Sequence, residues 1–452
     1  MLSIEELAAE VERGAIHTVV VAFPDMQGRL MGKRVVARVF LDQLADTGGA
    51  VEACDYLLST DVEMNVLEGF RFSNWETGYG DMVARPDLTT LRVTPWVEGT
   101  AMVLCDLVDH HGAPIEIAPR SILAHQIQAA AELGYESMVG TELEFYLFRE
   151  TPEEAWNKGY SDLTPSSSYI IDYHLLATTP DEKLIAQIRN DMVAAGIPVE
   201  NSKGEAGRGQ HELNLRYADA LGMADNHTIY KQGSKEIAAL NSMSLTYMAK
   251  YTFDDAGSSC HIHSSLWDVA SGRSVMAAED PTEMSDLFRW YLGGLMATAA
   301  ELSVCWAPFV NSYKRYQPGS WAPTAIGWDT DNRTLGFRVV GKGQAMRVES
   351  RIPGADCNPY IAVAATIAGG LHGIRNQIEP PEPTSGNGYT AEIPRIPSTL
   401  VEAIDLFETS TVAKEAFGTE VHYHLLHHAR QEWLAFNSTV TDWELRRNFE
   451  RL

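Results

Sequence analysis

Residues 142–148 read Glu-Leu-Glu-Phe-Tyr-Leu-Phe, an aromatic-rich run interrupted by two carboxylates. Aromatic residues favour strands. Successive side chains of a strand point to opposite faces, so Glu142 and Glu144 share one face while Leu143 and Leu147 share the other. The sequence therefore predicts a strand that packs into a core on one side and carries acids on the other.

The same spacing recurs in two other predicted strands. His261-Ile-His263 places two imidazoles on one face, and Arg347-Val-Glu349-Ser-Arg351 places a carboxylate between two guanidinium groups. Any solvent-facing strand also alternates polar and apolar residues, so a single instance would carry little weight. Because the spacing recurs in one chain, we interpret these faces as parts of a functional site.

Carboxylates dominate this predicted site. Glu205 and Glu212 flank a glycine-rich stretch, GEAGRGQHE, and add to the glutamates already named. Carboxylates gathered on one sheet face repel each other unless cations lie among them. Oxygen ligands with an imidazole suit Mg²⁺ or Mn²⁺, and no cysteine pattern for zinc is present. The sequence therefore predicts a magnesium or manganese site.

Basic residues are concentrated between positions 314 and 351 of an otherwise acidic chain: Lys314, Arg315, Arg333, Arg338, Arg347 and Arg351. Such a concentration indicates binding of phosphate or carboxylate. Divalent metal together with arginine is what phosphoryl transfer requires. The sequence has neither a GxxxxGK[ST] loop nor a GxGxxG after a strand, so any ATP must bind by another architecture.

Composition narrows the classes of partner and compartment. The chain has 452 residues, 45% of them hydrophobic, and a formal net charge of −26, which repels nucleic acid and anionic membranes. No apolar stretch approaches the length of a membrane helix, and the acidic N-terminus does not resemble a signal peptide. The five cysteines are scattered and odd in number. We therefore expect a cytoplasmic protein with neither nucleic-acid nor membrane partners.

The pattern of predicted strands and helices changes at Pro119. Before it, a capping box at Ser3 and Glu6 predicts a short helix, and strands are predicted at 17–23 and 29–36 around an Asp-Met-Gln-Gly turn. After it, strands alternate with predicted helices at 120–134, 181–195, 227–246 and 359–375, and the last ~50 residues are predicted to be helical. The segment 379–389 is a Pro/Gly loop.

In this order the motifs ELEF, GRGQHEL, GSSCHIHSSLW, NSYKR followed by APT, DNRTLGFRV, and RVESRIPG followed by NPY resemble the type I glutamine synthetase superfamily over nearly the whole chain. The resemblance implies an α+β fold. Residues 1–112 would form a small β-grasp-like domain, and residues 113–452 a catalytic domain with a funnel-shaped antiparallel sheet wrapped by helices. It also implies a double-ringed homo-oligomer, commonly a dodecamer, with active sites between the N-terminal domain of one subunit and the catalytic domain of the next.

Matching motifs assign roles to individual residues. The resemblance implies these metal ligands: Glu144, Glu205 and Glu212 for one ion, and Glu142, His261 and Glu349 for another, with two or three Mg²⁺ (or Mn²⁺) in all. For ATP it implies contacts from His263, Arg347, Glu200, Tyr217 and Ser265. For L-glutamate it implies Arg315, Arg351 and the Gly257 backbone. Arg333 and Arg338 would stabilise the phosphoryl group during transfer.

The sequence departs from ammonia-using enzymes at two places. Their flap reads PGYEAP, whose Glu accepts a proton from ammonium, whereas residues 318–323 here read PGSWAP with Trp321 in that place. An indole accepts no proton, although its face attracts ammonium by about 0.5–2 kcal/mol. Ala256 stands where the family's glutamate loop has Asn. Asp55 is the counterpart of the family's other ammonium carboxylate.

With these differences, and with the stretches FPDMQGRLMGKR and WETGYGDM, the sequence resembles the γ-glutamyl-amine ligases. We therefore predict an ATP-dependent ligase that joins a primary amine, ethanolamine first and polyamines next, to glutamate through γ-glutamyl phosphate. Alternatives are a glutamine synthetase that uses ammonia, a phosphotransferase with another acceptor, and a non-catalytic assembly or regulatory member. Tyr389 lies near the family's adenylylation site, but its flanks differ, and we expect it to be unmodified.

Overall fold

The β-branched run after the first helix forms an inner strand of a small N-terminal sheet. The computed structural model describes residues 1–452. The strands of this sheet are β1 (Thr18–Pro24), β2 (Leu30–Val36), β3 (Val51–Cys54), β4 (Asp81–Pro86), β5 (Arg92–Val93) and β6 (Thr100–Val108). Their order is β2-β1-β6-β4-β3, with β5 paired to β6, and β1 and β6 are parallel.

Two helices accompany this sheet, α1 (Ile4–Glu12) and α2 (Ala37–Thr47). Ser3 and Glu6 form the predicted capping box, with the Glu6 amide donating to Ser3 Oγ at 3.1 Å. The predicted turn between β1 and β2 is also confirmed, and Gly28 adopts φ +76° there, a left-handed conformation that favours glycine.

A larger sheet carries the motif strands. Its strands are β7 (Tyr135–Phe148), β8 (Val199–Gly204), β9 (Gln210–Leu215), β10 (Ala218–Asp219), β11 (Ser244–Thr246), β12 (Cys260–Asp268), β13 (Arg273–Ser274), β14 (Trp328–Thr330), β15 (Phe337–Val340) and β16 (Arg347–Ser350). The main order is β14-β15-β16-β12-β7-β9-β8, antiparallel except between β14 and β15. The predicted α+β class with a funnel-like, largely antiparallel sheet is confirmed; the domain boundary at residues 112/113 stays a prediction.

Helices cover this sheet: α3 (Pro119–Ala131), α4 (Pro152–Asn157), α5 (Leu175–Thr178), α6 (Glu182–Ala194), α7 (Ala220–Leu240), α8 (Asp286–Thr298), α9 (Ser303–Trp306), α10 (Val310–Tyr313), α11 (Pro359–Asn376), α12 (Leu400–Thr409), α13 (Thr411–Asn437) and α14 (Asp442–Asn448). Short 3₁₀ turns lie at Asp55–Leu58, Leu88–Thr90, Thr179–Asp181 and Gly343–Ala345. Helix α11 is buried along most of its length and contacts α8, α3 and α7. None of the helices is long and apolar enough to span a bilayer.

The predicted helix at 227–246 is displaced in the structure. Helix α7 begins at Ala220 because the Asp219 side chain caps it, accepting a hydrogen bond from the Gly222 amide at 2.9 Å. The chain then leaves the helix at Asn241 and forms β11, so the last part of the prediction was wrong. Helix α3 likewise ends at Ala131, three residues before the predicted end.

The histidine-rich helix α13 holds the N-terminal part of the chain. His424 and His428 donate from Nε2 to the Leu58 carbonyl oxygen at 2.8 and 3.1 Å, and the Phe70 ring packs against both imidazoles. Burial lowers the pKa of His424 well below its usual value and lowers that of His428 to about 4. Both side chains are therefore neutral donors at physiological pH.

Candidate active site

The register of the larger sheet brings the motif residues face to face. Cross-strand neighbours have Cβ atoms about 4.5–5.5 Å apart, so paired positions place side chains in contact. The pairs are Glu142 with His261, Glu349 with His263, Glu144 with Glu212, and Glu349 with Arg338. The i,i+2 patterns read from the sequence thus converge on one face of β15, β16, β12, β7 and β9.

One group of three side chains has the geometry of a cation site. The ligand atoms of Glu142, His261 and Glu349 all lie within 4.8 Å of one another. His261 Nδ1 is 3.1 Å from Glu142 Oε2 and 3.7 Å from Glu349 Oε1. Two carboxylates and one imidazole form a donor set that fits Mg²⁺ or Mn²⁺.

A second group lies beside it and shares His261. The ligand atoms of Glu144, Glu212 and His261 also lie within 4.8 Å of one another. The Glu205 carboxylate is not part of this group; it is ion-paired with Lys203. A metal-binding role for Glu205 therefore requires its carboxylate to be shared with, or released by, Lys203, and it stays a prediction.

Burial and mutual repulsion set the charges of these carboxylates. Burial and the Glu205 charge raise the pKa of both Glu144 and Glu212. Burial also acts to raise the pKa of Glu142, but hydrogen bonds from His261 and His263 outweigh it and lower the pKa. A bound cation would favour the ionised form of Glu144 and Glu212, which burial and the Glu205 charge oppose.

Glu142 lines two cavities, of which the first, lined by most of the proposed cation ligands, is described below. The second has a volume of about 480 Å³. All the residues that the resemblance implies for ATP line it: Glu200, Tyr217, His263, Ser265 and Arg347. His263 Nε2 donates to Glu142 Oε1 at 2.8 Å, while its Nδ1 accepts from Arg347 Nε at 3.1 Å. The two bonds fix the tautomer and ring orientation of His263. Tyr217 and Trp267 form an aromatic pair on the wall, with ring centroids 6.2 Å apart.

The first cavity, of about 790 Å³, is lined by arginines and by the proposed cation ligands other than the buried Glu349. Arg333, Arg338 and Arg351 line it. Glu349, which is completely buried, orients two of them by accepting hydrogen bonds from Arg338 Nη1 at 2.8 Å and from Arg351 Nη1. The guanidinium charges thus face the carboxylate cluster across a space large enough for a small substrate and a phosphoryl group.

Arg315 lies behind the wall of this cavity and is buried. Its Nη1 donates to Ser259 Oγ at 3.0 Å, and its Nη2 donates to the Ile352 carbonyl oxygen. A Cβ added at Gly257 would clash with the Arg315 side chain and the Ala249 carbonyl oxygen, so this position needs glycine. In this structure Arg315 therefore contacts backbone and Ser259, and contact with glutamate stays a prediction.

Trp321 stands at the mouth of the first cavity. It lines the cavity, and 61% of the residue is exposed, so it is not a core aromatic. Its φ of +67° lies in the left-handed region, where a bulky side chain is strained. The chain therefore presents an indole, rather than a carboxylate, to molecules that enter this mouth.

Asp55 lines neither cavity of its own chain. It begins a 3₁₀ turn in the N-terminal part, is buried, and accepts a hydrogen bond from Ser73 Oγ. The structure of one chain thus does not bring Asp55 to the predicted site. Its role there stays a prediction that requires a neighbouring subunit.

Two site residues were missed from the sequence. Lys203 pairs with Glu205 and lies over the Tyr173 ring, and Gln210 Nε2 donates to Glu144 Oε2 at 3.2 Å. Each precedes a predicted ligand by two positions. The i,i+2 rule that selected the other strand residues, applied to both strands of the 199–215 hairpin, would have found them.

Comparison with known proteins identifies the family of this chain. The family described as "Glutamine synthetase, catalytic domain" matches residues 116–448. The chain belongs to the glutamine synthetase family. The chain is 52% identical to the gamma-glutamylethanolamide synthetase GlnA4 of Streptomyces coelicolor, and the match covers 100% of this chain and 96% of that relative. It is 37% identical to a glutamate–isopropylamine ligase of a Pseudomonas species, covering 97% and 96% of the two chains.

Relatives named glutamine synthetase are less similar to this chain than the two ligases above. A glutamine synthetase of Thermotoga maritima is 32% identical over 99% of each chain. Among solved structures, a GmaS/ADP complex superposes with a TM-score of 0.85 at 27% identity, covering 98% of this chain and 99% of that one. Apo GmaS superposes with a TM-score of 0.84 at 28% identity, with the same coverage.

Proposed function

We propose that this chain is an ATP-dependent ligase that joins a primary amine to the γ-carboxylate of L-glutamate. Ethanolamine is the proposed acceptor, with polyamines next. The observation that carries the acceptor class is the exposed indole of Trp321 at the mouth of the carboxylate- and arginine-lined cavity. The 52% identity to a gamma-glutamylethanolamide synthetase over the whole chain supports the same acceptor.

The reaction divides between the two cavities. ATP would bind in the smaller cavity, with its phosphates directed past His263 and Glu142. Glutamate would bind in the larger one, held by Arg351 and the Gly257 backbone, with Arg315 behind them. The γ-carboxylate oxygen attacks the γ-phosphorus, the bond to ADP breaks, and γ-glutamyl phosphate forms. The neutral amine nitrogen then attacks the acyl carbon, the carbon–oxygen bond to phosphate breaks, and the nitrogen releases a proton as the amide forms.

The residues of the chain assist by charge and position. Arg333 and Arg338 neutralise charge that develops on the phosphoryl oxygens, since a guanidinium suits this geometry. We propose that Glu142, His261 and Glu349 hold one divalent ion and that Glu144, Glu205 and Glu212 hold another. Mg²⁺ or Mn²⁺ bound there would neutralise the phosphate oxygens and the clustered carboxylates.

We further propose that the active site is completed in a ringed homo-oligomer, in which Asp55 of a neighbouring subunit approaches the amine. The isolated position of Asp55 in its own chain supports this assignment. We place the reaction in the cytoplasm, since all five cysteines are free.

Phosphate release with ATP, Mg²⁺, glutamate and a panel of acceptors tests the proposal. The panel comprises ethanolamine, putrescine, isopropylamine and ammonia, and the product is identified by mass spectrometry. We expect ethanolamine to give the highest kcat/KM and a γ-glutamyl amide as product. Turnover with ammonia equal to or above that with every organic amine would refute the acceptor class. Absence of glutamate-dependent phosphate release with all acceptors would refute the ligase.

A further inference from the structure

The segment Gly386–Ala391 contacts two loops that line the first cavity. On one side it flanks the loop that carries Arg333. Asn332 Nδ2 donates to the Gly386 carbonyl oxygen at 2.8 Å, and the Gly388 amide donates to Thr334 Oγ1 at 2.9 Å. The residues on both sides of Arg333 are therefore fastened to this segment, although none of its own residues lines the cavity.

On its other side the segment holds the loop that carries Trp321. Tyr389 donates its hydroxyl hydrogen to the carbonyl oxygen of Ala322 at 3.0 Å. Arg395 supports the same arrangement by donating from Nη1 to the Gly388 carbonyl oxygen at 3.0 Å and to Thr324 Oγ1 at 3.3 Å. Burial raises the pKa of Tyr389, so its hydroxyl remains a hydrogen-bond donor across the physiological range.

Trp321 requires such support because its backbone is strained. A bulky residue at φ +67° persists only where its surroundings determine the conformation. Its own side chain supplies little support, since 61% of the residue is exposed. The neighbouring peptide is held instead: Ser320 Oγ donates to the Gln317 carbonyl oxygen at 2.7 Å on one side, and Tyr389 holds the Ala322 carbonyl on the other.

We propose that Tyr389 is a positioning residue for the amine acceptor: its hydroxyl holds the Ala322 carbonyl and thereby fixes the indole of Trp321 at the cavity mouth. The proposal rests on the function proposed above. It gives the segment Gly386–Ala391 a role in acceptor binding, since the segment joins the loop of Trp321 to the loop of Arg333. The hydroxyl donates to the Ala322 carbonyl and makes no hydrogen bond to the side chains proposed for glutamate or ATP, so the KM values for these two substrates are expected to change less.

The first test is a double-mutant cycle between Tyr389→Phe and Trp321→Ala. Loss of one hydrogen bond is expected to raise KM for the amine about three- to tenfold, with KM for glutamate and ATP changed less than twofold. In the Trp321→Ala background the same tyrosine change is expected to have no further effect, because Tyr389 acts through the indole. Tyr423→Phe is the matched control, since it removes a hydroxyl that donates to the Gly69 carbonyl oxygen at 2.6 Å, away from both cavities.

A second readout is independent of turnover. Backbone hydrogen exchange in the loop of residues 316–325 is expected to be faster in Tyr389→Phe than in the wild type. Exchange in the strands of the larger sheet is expected to be unchanged. Equal exchange, an unchanged KM for the best acceptor, or an effect that persists in the Trp321→Ala background would each overturn the positioning role. Failure of the proposed function would be seen in the wild-type enzyme, as no activity with any acceptor in the panel. In that case the hydrogen-exchange measurement would still test whether Tyr389 holds the loop of Trp321.

Discussion

Replacement of Glu349 by glutamine tests the centre of the proposed site. The side chain is fully buried and accepts hydrogen bonds from Arg338 and Arg351, while His261 lies 3.7 Å away. Burial acts to raise the pKa of Glu349, but His261, Arg351 and His263 lower it to about 2, so the carboxylate is ionised. A carboxamide keeps the volume, loses the charge and can accept with only one oxygen.

The magnitude follows from these contacts. A hydrogen bond to a charged group contributes about 1.5–3 kcal/mol. Conversion of two such bonds into at most one neutral bond therefore removes roughly 3 kcal/mol of the interaction free energy that holds Arg338 and Arg351 in place. At about 1.4 kcal/mol per decade, kcat is expected to fall at least about 100-fold. A predicted metal ligand is lost as well, so Mn²⁺ binding measured by calorimetry should weaken at one site.

The assay is glutamate-dependent phosphate release, with circular dichroism and gel filtration to establish that the variant is folded and assembled. Glu408→Gln is the matched control, because Glu408 pairs with Arg430 at the surface and both side chains are exposed. That control should retain full activity, since exposed ion pairs contribute little. A folded Glu349→Gln enzyme with kcat within about threefold of the wild type would contradict the assignment.

Three further outcomes are expected. Trp321→Glu should lower kcat/KM for ethanolamine and raise it for ammonia, each by about tenfold, because a carboxylate replaces an indole at the mouth; the acceptor panel measures the ratio, and an unchanged ratio would exclude Trp321 as a specificity determinant. Lys203→Met should tighten Mn²⁺ binding several-fold in calorimetry, because it frees the Glu205 carboxylate; weaker or equal binding would contradict this. The folded-state pKa values of His424 and His428 are lowered, so the unfolded chain binds more protons than the folded chain in acid. The contribution of these histidines to the free energy of unfolding is therefore complete above pH 6.5 and falls as the pH is lowered towards 4. The expected loss between pH 7 and 5.5 is about 1 kcal/mol per histidine. Urea midpoints at the two pH values measure this loss, and His428→Gln should reduce it; a midpoint independent of pH would count against neutral buried histidines.

Much of the catalytic sheet could be predicted because the period of a strand is strict. Two residues apart means the same face, so Glu142 with Glu144 and His261 with His263 could be paired without any structure. Which strands are neighbours could not be read this way. The register that sets His263 opposite Glu349 joins segments more than 80 residues apart, and residue periodicity carries no information about that pairing.

Other features depended on local competition that a sequence pattern does not rank. Helix α7 begins earlier than predicted because Asp219 caps it, and the choice of Lys203 as the partner of Glu205 is decided by packing in three dimensions. Arg315 was predicted to contact glutamate, but the structure places it behind the cavity wall. The sequence identified its residue type and region; its depth depends on how the surrounding loops pack.

Glu142 lines both cavities, with one carboxylate oxygen facing His261 and the other facing His263. Asn201 and Asn214 also line both cavities, and Glu142 is the charged residue that they share, so occupancy of one cavity can be linked thermodynamically to occupancy of the other. By reciprocity, whatever factor a divalent ion contributes to nucleotide affinity, the nucleotide must contribute to affinity for the ion. An ion that neutralised the Glu142 carboxylate would reduce its repulsion of the nucleotide phosphates, so each ligand would bind more tightly in the presence of the other.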